Sequence, residues 1–184
     1  MAASRSKASN SGVLKFVLGF IFAFVVLFVG AFIYLKYGNP PVAVADAPFP
    51  EEKMIVHIPL IARIDRQMQQ PPFGTSEDVF ETGAMVYQTH CAFCHGDPGQ
   101  PSLDGKWMYP VAPQLWKKHG NHDVVGVSDD EPGETYWKVK NGIRLTGMPA
   151  YGKALSETEL WQVSLLLSMA DKPLPAEASR TVGR

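Results

Sequence analysis

The sequence predicts an all-α domain that follows one apolar helix and a proline-rich connection. Three observations carry that expectation. Phe16 to Leu35 runs without a charged or strongly polar side chain. Residues 38–75 contain Pro40, Pro41, Pro48, Pro50, Pro59, Pro71 and Pro72. Beyond residue 75, apolar side chains recur at three- and four-residue spacing, with no alternating strand pattern. The 184 residues suffice for one ordinary domain plus accessory segments.

Residues 1–12 read as a tail and 13–37 as a transmembrane anchor. The 20-residue apolar run is long enough to cross a bilayer as a helix, whereas signal-peptide cores span roughly 7–15 residues. Ala43-Val44-Ala45 imitates a small-residue cleavage site but lies well past the run, so a retained anchor is expected and a cleaved signal is the alternative. Arg5, Lys7 and Lys15 precede the span and place the N-terminus in the cytoplasm, although Lys36 opposes that bias. The chain beyond the span is then periplasmic, at a bacterial cytoplasmic membrane crossed once. Gly19, Ala23 and Gly30 share one helix face and would admit another membrane helix. Tyr34 and Tyr37 fit interfacial positions. All 18 acidic residues lie beyond residue 45, against 13 of the 17 basic ones, which argues against nucleic-acid binding.

The prolines of residues 38–75 imply an extended linker or strap. Within it, Met54, Ile55, Val56, Ile58, Leu60, Ile61 and Ile64 are too apolar for a solvated tether. They are expected to pack on the adjoining domain or on a partner subunit. That domain spans 76–171. Thr75 or Ser76 caps its first helix, with Glu77 and Asp78 in the first turn. Val79, Phe80, Gly83, Val86 and Tyr87 then recur at helical spacing. A shorter helix is expected from Glu134 to about Asn141, with Gly142 after its end. The last helix opens with the capping-box pattern Ser156-Glu157-Thr158-Glu159 and continues through Leu160, Trp161, Val163, Leu166 and Leu167 towards Pro173. Residues 172–184 form a C-terminal tail.

The chemistry lies in Cys91-Ala92-Phe93-Cys94-His95, the attachment signature of a c-type haem. Two thiols three residues apart share one side of a helical turn, where they can bond the two vinyl groups along one porphyrin edge. His95 then reaches the iron. A structural zinc site needs four ligands, but these are the only two cysteines and no His-x-x-x-His comes after them. A dithiol redox centre would want a βαβ setting, and the flanks read helical.

A low-spin carrier needs a second axial ligand. Met54, Met68, Met85, Met108, Met148 and Met169 compete with His57, His90, His119 and His122. Met85 and Met169 fall in expected helices, where core packing is the simpler role. His90 sits too close to the attachment motif to reach the opposite haem face. Met148 lies in Thr146-Gly147-Met148-Pro149-Ala150-Tyr151-Gly152, whose glycine and proline suit a rigid loop that presents a thioether. His95 and Met148 are therefore the expected iron ligands. The loop Lys117–Gly133, with His119, His122, Asp123, Asp129, Asp130 and Glu131, reads as an acidic surface loop rather than a metal site.

The order of Gly83, Tyr87, Cys91-Cys94-His95, a proline-rich loop, Asn141-Gly142-Ile143, Gly147-Met148-Pro149 and a terminal aromatic-aliphatic helix resembles class I cytochrome c, over about residues 75–171. The resemblance implies that the first and last helices cross near Gly83 and admit Trp161 or a neighbour. It also implies that a proline carbonyl, from Pro113 or Pro110, accepts the other N–H of His95, which fixes the ring and raises its basicity. Lys138, Lys140, Arg144 and Lys153 are a candidate docking face for an acidic partner.

Together these features lead to one covalently bound haem c in a membrane-anchored carrier of single electrons. A Met ligand raises the potential, so the expected donor is a quinol-oxidising complex and the acceptor a terminal oxidase or photosynthetic reaction centre. A fixed subunit of a membrane complex is favoured over a freely diffusing tethered shuttle. A haem enzyme or sensor with an open sixth position is the remaining alternative.

Overall fold

The computed structural model describes residues 10–120 and 124–183. Arg5, Lys7, His122 and Asp123 lie outside the described residues. The chain divides into two units, Met1–Pro48 and Phe49–Arg184.

The first unit is built on helix α1, Asn10–Tyr37. Its stretch Gly12–Tyr37 is long and apolar enough to cross a membrane, since 26 residues span about 39 Å against a hydrocarbon core of about 30 Å. Phe16, Phe20, Phe24 and Phe28 line up at four-residue spacing along it, with neighbouring ring centroids 4.7–6.4 Å apart. After α1, Asp46 accepts from the backbone N–H groups of Val42 and Ala43 at 2.8 Å.

The second unit departs at once from the expected extended strap, because Glu52–Gln67 forms helix α2 with Pro59 inside it. Pro59 removes the donor that would reach the Ile55 carbonyl, but Ile55 is 63% exposed, so water can take that carbonyl. Val56, Leu60 and Ile64, four residues apart, form the inward face; Ile64 is buried and the other two are half-buried. Amphipathic spacing thus outweighs one proline on the solvent side. Met54, Ile55, Ile58 and Ile61 remain exposed. The helix packs on α5, Pro132–Asn141. There Trp137 Nε1 donates to Gln67 Oε1 at 3.0 Å and Arg63 lies over the Trp137 ring.

The core is the crossing of α3, Glu77–His90, with α6, Glu157–Leu167. Ser76 caps α3 by accepting from Val79 N, and Ser156 with Glu159 forms a reciprocal capping box on α6. Gly83 is required at the crossing, since a Cβ there would lie 2.5 Å from the Gln162 carbonyl oxygen and 3.2 Å from Leu166 Cβ. The neighbour admitted is thus Gln162 rather than Trp161. Trp161 stacks instead on Tyr136 of α5, with centroids 4.0 Å apart and planes 7° apart. Tyr87, Leu160, Val163 and Leu166 have no solvent exposure worth counting, and each fully buried side chain of that kind stabilises by about 1.5–3 kcal/mol.

The C-terminal residues are not a loose tail. Ala176–Val182 forms α7, which packs on α3 through the buried Ala178 and Val182. Among the described residues there is no strand, only isolated bridges at Asp97–Gln100 and Lys118–Val125. The architecture is all-α.

Candidate functional site

Helix α3 delivers the attachment segment. It ends at His90, and the chain continues through Cys91 into the short helix α4, Ala92–His95. The N–H groups of Cys94 and His95 both donate to the Cys91 carbonyl, at 3.1 and 2.9 Å. Gly96 closes the turn at φ 73°, and a Cβ there would collide with Gln114 Oε1 at 2.5 Å and Ser102 N at 2.8 Å.

Loop 96–115 then wraps beneath α4. A 3₁₀ turn at Gly105–Trp107 lies so close that a Cβ on Gly105 would collide with the Cys94 carbonyl oxygen. Gln114 ties the loop together: its Oε1 accepts from Ser102 N at 2.7 Å, and its Nε2 donates to the carbonyls of Ala112 and Cys94 at 3.2 and 3.4 Å. This places the Pro113 carbonyl 2.7 Å from His95 Nδ1. A carbonyl only accepts, so Nδ1 carries the proton and Nε2 keeps its lone pair. Burial also lowers the His95 pKa, with the Pro113 carbonyl acting in the opposite direction, which favours the neutral ring that ligation requires.

The two cysteines are free of a disulfide. Burial, helped by neighbouring Cys94, pushes the Cys91 thiol up to about 12. Burial and Asp104 raise Cys94 as well. Redox-active and metal-binding thiols show the reverse, a lowered pKa in an electropositive setting.

Met148 comes from the segment after α5. Gly142, at φ 66°, lets the chain fold back: a Cβ there would meet the Met148 carbonyl oxygen at 2.9 Å. Thr146 Oγ1 donates to the Ile143 carbonyl at 2.7 Å and accepts from Met148 N at 3.1 Å. Leu145 takes a left-handed φ of 64° and is 75% exposed. Met148 itself is half-buried against the core. Beyond it, Tyr151 N and Gly152 N donate to the carbonyls of Val139 and Lys140 at 3.0 Å.

Of the other methionines, Met85 is exposed on α3, so core packing does not explain it. Met169 does pack against the core. Met108 puts a second sulfur beside the methionine segment, with Sδ 3.3 Å from where a Gly147 Cβ would sit. The candidate basic face is partly neutralised, because Lys138 pairs with Asp130 (2.9 Å) and Glu134 (2.6 Å), and Lys140 pairs with Glu157 (2.6 Å). His119 Nε2 contacts the Gly126 carbonyl at 2.6 Å.

Two observations show that these residues fit a haem. Phe93, Leu103, Trp107, Val111 and Leu145 are large apolar side chains, each more than 60% exposed. They belong to the attachment helix, the loop beneath it and the methionine segment, which the Gly105–Cys94 and Met108–Gly147 approaches bring together. A flat apolar group would cover a rim that soluble surfaces seldom leave bare. The buried indole N–H of Trp116, in a ring that meets Tyr87 edge-on at 5.4 Å, lies near the Tyr87 hydroxyl but outside hydrogen-bond geometry. A buried donor of that kind calls for an acceptor on a bound group.

An all-α fold carrying this motif and neutral histidine defines a c-type cytochrome domain. The family comparison agrees: residues 78–165 match the family model for cytochrome c oxidase, cbb3-type, subunit III. No curated protein matches the chain. A cytochrome c domain implies covalently bound haem c and a role in haem electron transfer.

The sequence did not point to Gln114, Gly105, Trp116 or α7. Gln114 and Gly105 act through backbone carbonyls brought close by the loop, and such contacts leave no periodic or spacing signal.

Proposed function

We propose that the protein is a membrane-anchored carrier of single electrons with one haem, and that it works as a cytochrome subunit of a terminal oxidase complex. Cys91 and Cys94 would hold haem c through thioether links, His95 and Met148 would ligate its iron, and Pro113 orients His95. When bound, haem c supplies an iron that cycles between ferric and ferrous. His95 is held in one orientation and the Met148 thioether carries no charge, so neither ligand would need to change protonation on each transfer. His95 is held by its Nδ1–H bond to Pro113, which sets the ring plane and increases its basicity. The Met148 thioether favours the ferrous state and raises the potential. With the group bound, Phe93 and the neighbouring apolar side chains would be covered and would keep water from its edge, which would shift the potential further.

The observation that carries this reading is the His95–Pro113 contact at 2.7 Å, because it commits a neutral imidazole to one orientation. The oxidase is favoured over a reaction centre as acceptor by the name of the matching family. The donor is a quinol-oxidising complex. Helix α1 anchors the chain in a bacterial cytoplasmic membrane, with the N-terminus inside and the haem domain in the periplasm. Gentle solubilisation, native electrophoresis and haem staining test the assembly. The haem stain is expected to migrate with oxidase activity. Migration only as an isolated monomer would instead support a free tethered shuttle.

A further inference from the structure

Two tyrosine hydroxyls bracket the attachment segment. Tyr87 Oη donates at 2.5 Å to the carbonyl of Gly96, the residue after His95. Tyr151 Oη donates at 2.7 Å to the carbonyl of His90, the residue before Cys91. Tyr87 belongs to α3, so its bond is local. Tyr151 stands three residues beyond Met148 and reaches back across 61 positions of sequence.

The His90 carbonyl sits at a helix end, where the backbone runs out of donors. Cys91 N donates to the Tyr87 carbonyl, while Cys94 N and His95 N both donate to that of Cys91. Tyr151 supplies the missing donor, and its ring meets the His90 imidazole edge-on, with centroids 5.5 Å apart. The main chain at 151 and 152 is pinned to the end of α5 through Val139 and Lys140. Ile143, Thr146 and Met148 close the segment on itself, and the Tyr151 carbonyl accepts from Ala154 N and Leu155 N at 2.9 Å. Among the described residues, no other hydrogen bond joins segment 143–152 to α3 or α4.

We propose that Tyr151 is a positioning residue: its hydroxyl locks the methionine segment to the attachment helix and so keeps the Met148 thioether in range of the iron. The inference rests on Met148 being the sixth ligand. A segment joined to the attachment helix by one hydrogen bond parts from it more often when that bond is removed. A competing ligand then binds more tightly in proportion to the open fraction.

The test is a titration of the full-length ferric haem protein with imidazole, monitored at the red thioether-to-iron band. Tyr151→Phe keeps the ring and deletes the hydroxyl. It is expected to bind imidazole roughly three- to tenfold more tightly, the range set by one neutral hydrogen bond. A parallel denaturant melt separates positioning from general stability. Wild-type imidazole affinity in Tyr151→Phe, with or without a lowered midpoint, would overturn the proposal. The ligand assignment beneath it is checked in the same series. If the wild-type protein lacks the red band, or Met148→Ala retains it, the assignment fails and the positioning role fails with it. If both controls behave, a null result in Tyr151→Phe counts against Tyr151 alone.

Discussion

The two sides of the site are held in different ways. The attachment side is fixed by many short contacts: Pro113 to His95, Gln114 to Cys94 and Ser102, Tyr87 to Gly96, and a glycine at 105 that touches the Cys94 carbonyl. The methionine side is a single loop. It closes on itself through Thr146, carries an exposed left-handed Leu145, and meets the attachment helix through Tyr151. His95 is therefore held by several side-chain and backbone contacts, whereas Met148 sits in a loop joined to the attachment helix by Tyr151 and to α5 by the backbone of residues 151 and 152. Under the proposed ligation, the Met148 loop is where a ligand should first be lost without global unfolding.

The largest effect should come from the methionine side. Met148→Ala removes the thioether, and the midpoint potential is expected to fall by on the order of 0.1–0.3 V, within the roughly 0.8 V over which axial ligation sets haem potentials. Carbon monoxide should bind the ferrous variant, while the denaturant midpoint shifts little. An unchanged potential would point to a different ligand, and Met108, next to Gly147, is the sulfur to examine.

The attachment side should answer in stability rather than ligation. Tyr87→Phe leaves the buried Gly96 carbonyl without its donor, a loss of about 1–3 kcal/mol in denaturant melts. Burial holds the Tyr87 hydroxyl above its ordinary pKa, which favours the protonated donor. The red band should survive this change, which would separate the two sides experimentally.

The smallest effect is expected at a contact remote from both ligands. Glu157 joins α6 to Lys140 and Tyr136 of α5, and those hydrogen bonds, Lys140 foremost, hold its carboxyl below the ordinary value of 4.5. A depressed carboxyl contributes fully above its unfolded value and loses that contribution as pH falls through the folded one. Because Glu157 is exposed, Glu157→Gln should cost less than about 1 kcal/mol at neutral pH, less in high salt and nothing in acid. Melts at neutral pH and in acid check this.

The sequence made the helices legible where chemistry is local. Ser76, the Ser156–Glu159 box and Gly142 mark ends through capping, and Gly83 marks a crossing through its missing side chain. Helix α2 was hidden because Pro59 speaks against a helix more loudly than Val56, Leu60 and Ile64 speak for one. Helix α7 is short and gains its place by packing on α3. At the site, Cys91, Cys94, His95 and Met148 stand out by residue type and spacing. Gln114 and Tyr151 do not, because each acts on a carbonyl that only the folded chain brings near.

The ferric visible spectrum of the full-length protein tests the central claim, a six-coordinate His95/Met148 electron carrier, most directly. The red thioether-to-iron band should be present in the wild type and in Met108→Ala, and absent in Met148→Ala. A high-spin wild-type spectrum, or a band that survives Met148→Ala and vanishes in Met108→Ala, would contradict it.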